Sequence, residues 1–472
     1  MRRRDLFRGA GSLAVLAAPV VAGCAAPRND PAGSTTAGST ASTTAGRTAS
    51  VTSATTSAAT TSAATTSAAT TSAATTSVAA GGAVVRGAGA RRSAPAAVQQ
   101  RLLPAAAALY RAALPGTGNA MLSPYSIVSA LGMLAYGARG ATAAALTKAL
   151  GGDAGTVAGW LTGSDAALAA AVTASKQAPG ALGSSGGPTV IDPADALFLG
   201  RGARLNPPFL DALARGYGVG VRQVNFAQSD AARAIVNGWV GERTRGLIPE
   251  LIPAGFVDAS TLLVLVNAIY LKAAWVDPFR PATGTVAFRT ATGKSVAVEL
   301  MTREDKMNYV RTADWEAVSI PLAFDLAMTV IVPRPGSFAA VAARLDAKLL
   351  AQATSGEQYQ VKLAMPGFRT DTATDLESPL RALGLGMLFA GPDLSGIAGA
   401  PGDLFVSGAV HQAKIGVDHL GVEAAAATAV AVAMSGLSRV AEVEITRPFL
   451  YLIHDTGTTT PLFLGRVTDP TA

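Results

Sequence analysis

Hydrophobic positions across residues 99–472 change period repeatedly. From Ser126 to Leu150, apolar residues such as Ile127, Leu131, Leu134 and Ala135 recur at steps of three and four. That spacing predicts a helix, with Ser123-Pro124 as its start signal. Thr261–Tyr270 is a continuous apolar run rich in branched residues, and it predicts a strand buried on both faces. Phe324–Val332, Phe449–Ile453 and Pro461–Val467 predict further strands. Helical and strand patterns are interspersed throughout, which predicts one α+β unit over residues 96–472 rather than separable modules.

The chain ahead of that unit has a different texture. Residues 1–24 read as an export signal: Arg2-Arg3-Arg4-Asp5-Leu6-Phe7-Arg8 precedes a mild apolar run, Leu13–Val21, too short to span a membrane. Adjacent arginines ahead of Leu6-Phe7 resemble a twin-arginine leader, with an ordinary Sec leader as the alternative. Val21-Ala22-Gly23-Cys24 looks like a bacterial lipobox, in which the cysteine is acylated. Cys24 is the sole cysteine, so it has no internal disulfide partner. An acyl chain there would tether the protein to the outer face of the cell membrane without spanning it. Residues 25–95 are rich in Ser, Thr, Ala and Gly, with the pentad Thr-Ser-Ala-Ala-Thr repeated. Such a composition buries too little apolar surface to offset ordering entropy, so a disordered stalk is expected.

Charge follows the same division. Residues 1–95 hold nine arginines and two aspartates, so of 38 basic and 31 acidic residues, 29 of each sign fall in the remainder. The unit expected to fold is neutral, and no basic run in it suggests a polyanion or nucleic-acid site.

Catalytic parts are scarce. There are three histidines, His411, His419 and His454. Gly183-Ser184-Ser185-Gly186-Gly187 matches a nucleophile-elbow pattern but lies in a Gly/Ser-rich stretch without the flanking strand and helix it needs. No serine precedes a lysine by three positions, and no phosphate-binding Gly-rich loop is present. Ligands for a structural zinc site are lacking. No metal, cofactor or enzymatic activity is expected.

The segment Gly421–Ser435 is unusual. An alanine-rich run favours helix on propensity alone. Read with period two, it separates into one face of Val422, Ala424, Ala426, Thr428, Val430, Val432 and Met434, and another of Glu423 followed by alanines at 425, 427, 429, 431 and 433. That is a strand with one face ready for burial and one small face, able to slip between two existing strands.

At this point the chain resembles the serpins over nearly all of residues 99–472. The resemblance rests on ordered motifs: Asn119–Ile127, Gly137-Ala138-Arg139-Gly140, Asn237-Gly238-Trp239-Val240, Asn267–Trp275 with Pro278-Phe279, Val410-His411-Gln412-Ala413, the alanine-rich hinge, and Arg447-Pro448-Phe449-Leu450. It implies a large central mixed sheet with smaller sheets, about eight to nine helices, and an exposed reactive-centre loop. It also implies inhibition of a serine protease by suicide trapping. The protease cleaves the loop and is held as a covalent acyl complex while the loop inserts into the central sheet.

By the resemblance, the hinge comprises Gly421, Val422, Glu423, Ala424, Ala425, Ala426, Ala427 and Thr428. The cleaved bond falls at Ser435–Gly436 or Met434–Ser435, and side-chain chemistry favours Met434 for an elastase-, subtilisin- or chymotrypsin-like target. Arg439 lies too far along. Ser123, Ser126, Asn267 and His411 resemble the buried polar cluster where the sheet opens, and Trp275 the tryptophan near the loop's entry. Two departures stand out: His419 and Leu420 where charged residues are usual, and Val422 where threonine is favoured. A monomer with no nucleic-acid partner is expected. The alternative is a non-inhibitory member acting as a surface binding or carrier protein.

Overall fold

The computed structural model describes residues 75–79, 82–86, 100–177, 189–422 and 439–472. Cys24, the Ser184-Ser185 pattern, hinge residues Glu423–Thr428 and the bond region Met434–Gly436 lie outside them.

Strands β1 (Thr75–Ala79) and β2 (Gly82–Arg86) precede helix α1 (Leu103–Ala113), strand β3 (Ala120–Leu122) and helices α2 (Pro124–Gly137), α3 (Gly140–Leu150) and α4 (Ala154–Gln177). Next come β4 (Val190–Gly200), α5 (Pro207–Tyr217), β5 (Val221–Val224), α6 (Ser229–Arg243) and β6 (Leu263–Ala274). Strands β7 (Thr285–Arg289), β8 (Ser295–Arg311), β9 (Trp315–Leu322) and β10 (Leu326–Pro333) lead to helices α7 (Phe338–Ala343) and α8 (Ala347–Thr354). Strands β11 (Glu357–Pro366) and β12 (Phe368–Asp375), helix α9 (Glu377–Leu380), and strands β13 (Val406–Val417), β14 (Gly421–Val422), β15 (Val440–Glu444), β16 (Phe449–Asp455) and β17 (Pro461–Val467) follow.

The strands form two large sheets. The first has the order β1-β2-β5-β4-β6-β14-β13-β12, and the second β15-β11-β8-β9-β10-β16-β17-β3, with β7 paired to β8. The first is mixed: β4–β5 and β6–β13 are parallel and its other ladders antiparallel. Helix α2 packs against β4 and β6 of the first sheet and β17 of the second. It can do so because it is apolar around most of its circumference: Ile127, Val128, Leu131, Met133 and Leu134 are all buried. Burying each such side chain contributes about 1.5–3 kcal/mol. Ser123 caps the helix, its side chain accepting a hydrogen bond from Ser126 N–H, and Pro124 occupies the first turn.

Two expectations need correction. The periodic run Ser126–Leu150 is two helices, not one. Helix α2 stops at Gly137 because the segment around Ile397 crosses there: Gly396 N–H donates to the Gly137 carbonyl, and a Cβ at Gly137 would collide with Ile397. Ala138 is then extended, and Gly140 starts α3 at φ 50°. Strand β6 is displaced from Thr261–Tyr270 and runs on to Ala274, because Gly421–Val422 supply a partner for its far end. Ahead of α1, β1 and β2 form an antiparallel hairpin, and β2 pairs with β5 at the sheet edge. The backbone of β5, open on the side away from β4, offers the template for this pairing. Pro461–Val467 is observed with the bounds expected.

Candidate functional site

The site is a slot in the first sheet. Over most of their length β6 and β13 pair directly, in the parallel register from Leu263↔Val406 to Ile269↔Ala413. Beyond Ile269 they part, and β14 enters between them. Gly421 and Val422 pair antiparallel with Ala274 and Ala273 of β6, while Val422 also pairs with Val417 of β13. Val422 is fully buried there. Its hydroxyl-free side chain suits an apolar slot, so departing from threonine costs nothing visible.

A tight turn delivers β14 to the slot. Asp418 makes it: its Oδ1 accepts the N–H groups of Leu420 (2.8 Å) and Gly421 (3.2 Å), and its own N–H donates to the Gly421 carbonyl (3.0 Å). Trp275, fully buried, holds the turn from below. Its Nε1 donates to the Asp418 carbonyl (2.9 Å), its backbone N–H donates to the Leu420 carbonyl, and its ring meets Phe279 edge-on. The Phe279 N–H donates to the His419 carbonyl (2.8 Å). His419 and Leu420 thus serve the turn through their backbone, which is why side chains of unusual type are tolerated.

Farther down, the closed seam is bridged by side chains. His411 and Asn267 are direct neighbours across β6 and β13. The His411 Nε2 accepts the Ser123 N–H at 2.9 Å, so the proton lies on Nδ1, which donates to Asn267 Oδ1 at 2.5 Å. Ser126 N–H donates to Ser123 Oγ, and Ser126 Oγ donates to the Ala268 carbonyl (3.4 Å). All four residues are buried. Burial holds the imidazole neutral, lowering its pKa to about 4. The structure therefore brings Ser123, Ser126, Asn267 and His411 together. Trp275 is not among them: it lies just past the end of β6, eight residues from Asn267, roughly 26 Å at the strand rise, at the slot's mouth.

One member of this row was not legible in advance. Asp195 of β4 pairs with Asn267 on the side away from His411. Its Oδ1 is cut off from solvent and has no hydrogen-bond partner. Burial pushes its carboxyl well above the usual carboxylate range, only partly offset by the Ser129 and Ser126 hydroxyls. An aspartate inside the apolar run Ala194–Leu199 was the available signal.

Beyond Val422, residues 423–438 connect the slot to β15 at the edge of the second sheet. There Arg439 forms an ion pair with Glu357 and lies over the Tyr359 ring. Among the described residues, no group of three or more His, Cys, Asp or Glu is placed to hold a metal ion, and no helix is long and apolar enough to cross a membrane.

Comparison with known proteins agrees with this geometry. The family model described as serpin (serine protease inhibitor) matches residues 105–470. Leukocyte elastase inhibitor of Bos taurus is 32% identical over 367 residues, covering 75% of this chain and 93% of that protein. An uncharacterized serpin-like protein of Thermococcus kodakarensis is 32% identical over 370 residues, covering 77% and 83%. Among solved structures, the thermophilic serpin tengpin in its native state superposes with a TM-score of 0.68 at 22% identity, covering 80% of this chain and 96% of that one. Manduca sexta serpin-12 gives 0.66 at 22%, covering 79% and 99%. With its motifs in order, its fold matched and its sheet slotted at the hinge, the chain belongs to the serpin family of serine protease inhibitors.

Proposed function

We propose that this chain traps serine endopeptidases of elastase-, subtilisin- or chymotrypsin-like preference by offering residues 423–438 as bait. The protease serine oxygen attacks the carbonyl carbon of Met434 or Ser435. The amide bond to the next residue breaks, its nitrogen leaves with a proton, and the loop remains esterified to the enzyme. The freed loop then enters the slot as a full strand. Loop insertion of this kind is the family's established example of strand addition and of stored strain released by cleavage.

The register of β14 carries the reading. Extending its pairing with β6 residue by residue puts Thr428 opposite Asn267, and extending its pairing with β13 independently puts Thr428 opposite His411. Those two are already each other's neighbours, so the two extrapolations agree. Thr428 would replace the direct His411–Asn267 contact and supply a hydroxyl to the same polar row. Val422, Ala424, Ala426, Val430 and Val432 share its face, the face on which Leu271, Ile269, Leu265 and Leu263 are buried. Glu423 falls on the other face, opposite Lys272. The ladder uses up β6 at Val432↔Leu263, which suits a cut after Met434 or Ser435. A cut after Arg439 would leave a tail beyond the strands, and Arg439 is held by Glu357.

Incubation with subtilisin or pancreatic elastase tests this. An SDS-stable covalent band and a released peptide beginning at Ser435 or Gly436 by mass spectrometry are expected. A clean nick without a covalent species would favour the non-inhibitory binding or carrier reading, and a cut after Arg439 would overturn the target class. We further propose export by the twin-arginine route and lipid anchoring through Cys24, supported by the leader motifs. Labelled palmitate incorporation that survives Cys24→Ala would refute the anchor.

A further inference from the structure

A cavity of about 1080 Å³ opens where the end of α1 meets the β7–β8 turn, the end of β10, α7 and the segment before β16. Five arginines line it: Arg111, Arg289, Arg334, Arg447 and Arg466. None of its lining residues is acidic. The domain as a whole carries equal numbers of acids and bases, so the imbalance is local.

The arginines are not neutralised. Among the described residues only Arg447 has a carboxylate in ion-pairing range, Glu316 at 3.5 Å, and its Nε donates to the Pro333 carbonyl. Arg466, 4% exposed, donates to the Gly118 (2.8 Å), Leu114 (2.6 Å) and Pro115 (3.4 Å) carbonyls. Those oxygens supply dipoles and no counter-charge. Arg111 donates to the Leu345 carbonyl, and Arg334 reaches only the Thr312 carbonyl at 3.5 Å. The remainder of the chain could not supply many anions: outside the described residues it has three carboxylate side chains, Asp5, Asp30 and Glu423. Arg111, Arg289 and Arg334 are exposed at the rim, whereas Arg466 is buried, and a buried cation without a counter-ion is costly. At the cavity wall Tyr110, 2% exposed, carries a buried hydroxyl with no partner of ordinary hydrogen-bond geometry, beside the Arg466 guanidinium. The other walls are apolar, formed by Leu114, Phe338 and several prolines.

We propose that this cavity is a binding site for a phosphate-bearing ligand with an apolar portion, held by the arginines around a dry wall. Guanidinium groups suit that chemistry because their planar fork donates to two phosphate oxygens at once. A mostly apolar pocket with a few convergent polar groups is the usual form of a small-ligand site. The inference is independent of the bait loop, and no protease enters its test.

Calorimetric titration of the full-length chain with inorganic phosphate and with 1-naphthyl phosphate should give saturable binding to one site, tighter for the naphthyl compound. Replacing Arg289 and Arg334 together by Ala should weaken both probes by about tenfold or more. The pair Arg201→Ala/Arg215→Ala, equally exposed and remote from the cavity, should leave binding unchanged. Sedimentation with phosphatidylglycerol vesicles assigns the source. Vesicle binding lost in the cavity variant means a lipid headgroup; soluble probes bound without vesicles mean a free anion. Absence of saturable binding at low salt overturns the proposal, as does an equal loss in the control pair.

Discussion

The slot and the arginine cavity handle polar groups in opposite ways. In the slot each polar atom of Ser123, Asn267 and His411 that bridges the seam has its partner, and the histidine is held neutral. In the cavity five arginines gather with no carboxylate in the lining, and only Arg447 has one in ion-pairing range, Glu316. A satisfied buried network specifies one arrangement and resists change until a competing donor arrives. An unsatisfied cluster of cations stabilises nothing by itself and is explained by what it would bind. The two regions therefore differ in what mutation should reveal: stability and trapping at the slot, affinity at the cavity.

The largest effect should come from Thr428→Arg. A charge on the inward face must be buried beside His411, which costs several kcal/mol without a partner. Insertion should lose the race to hydrolysis, so the covalent band disappears and the protease turns the chain over as substrate. Substituting Ala425→Arg, on the other face, where the register puts it beside the half-buried Tyr270 and Lys414, should spare much of the trapping, and equal damage from both would break the register argument.

Next is His411→Ala. It leaves the Ser123 N–H and Asn267 Oδ1 buried and unpaired, and opens a small void. A loss of about 2–4 kcal/mol in urea unfolding is expected. Its acid counterpart is milder and graded. The folded-state pKa of His411 lies below its ordinary value, so the stability it contributes is whole above pH 6.5 and is lost as pH falls toward 4. That window corresponds to about 3 kcal/mol. His454, bound to Thr329 and also lowered to about 4, contributes in the same window. The His411→Gln variant should therefore flatten the acid limb only in part.

Asp195 has the reverse sign. Its raised pKa means stability is present while the carboxyl is protonated and declines as pH rises through the folded value. Asp195→Asn should raise Tm at pH 8 and change it little near pH 4. The smallest effect is expected at the cavity rim. Arg289→Ala should alter stability by no more than about 0.5 kcal/mol, and a substantial loss would mean the cluster supports the fold after all.

How far the sequence foretold each region follows from how each is built. Strand β17 was legible because one short, largely apolar run, Pro461–Val467, encodes it. The seam cluster was legible because its members lie within recognisable motifs. Helices α2 and α3 ran together because the cause of the break, the segment at Ile397, lies some 260 residues away. Asp195 went unnoticed because one carboxyl in an apolar strand gives no periodic signal. The cavity was invisible: its arginines stand at positions 111, 289, 334, 447 and 466 with no basic run among them. A scan for polyanion sites along the chain finds nothing, whereas folding converges them.

The hairpin laid along β5 has a practical corollary for anyone shortening this protein. A chain trimmed to begin at α1 would strip the border of the main sheet, leaving the amides of β5 bare toward neighbouring molecules. Self-association of such a trimmed form would reflect a lost edging, not a misfolded interior.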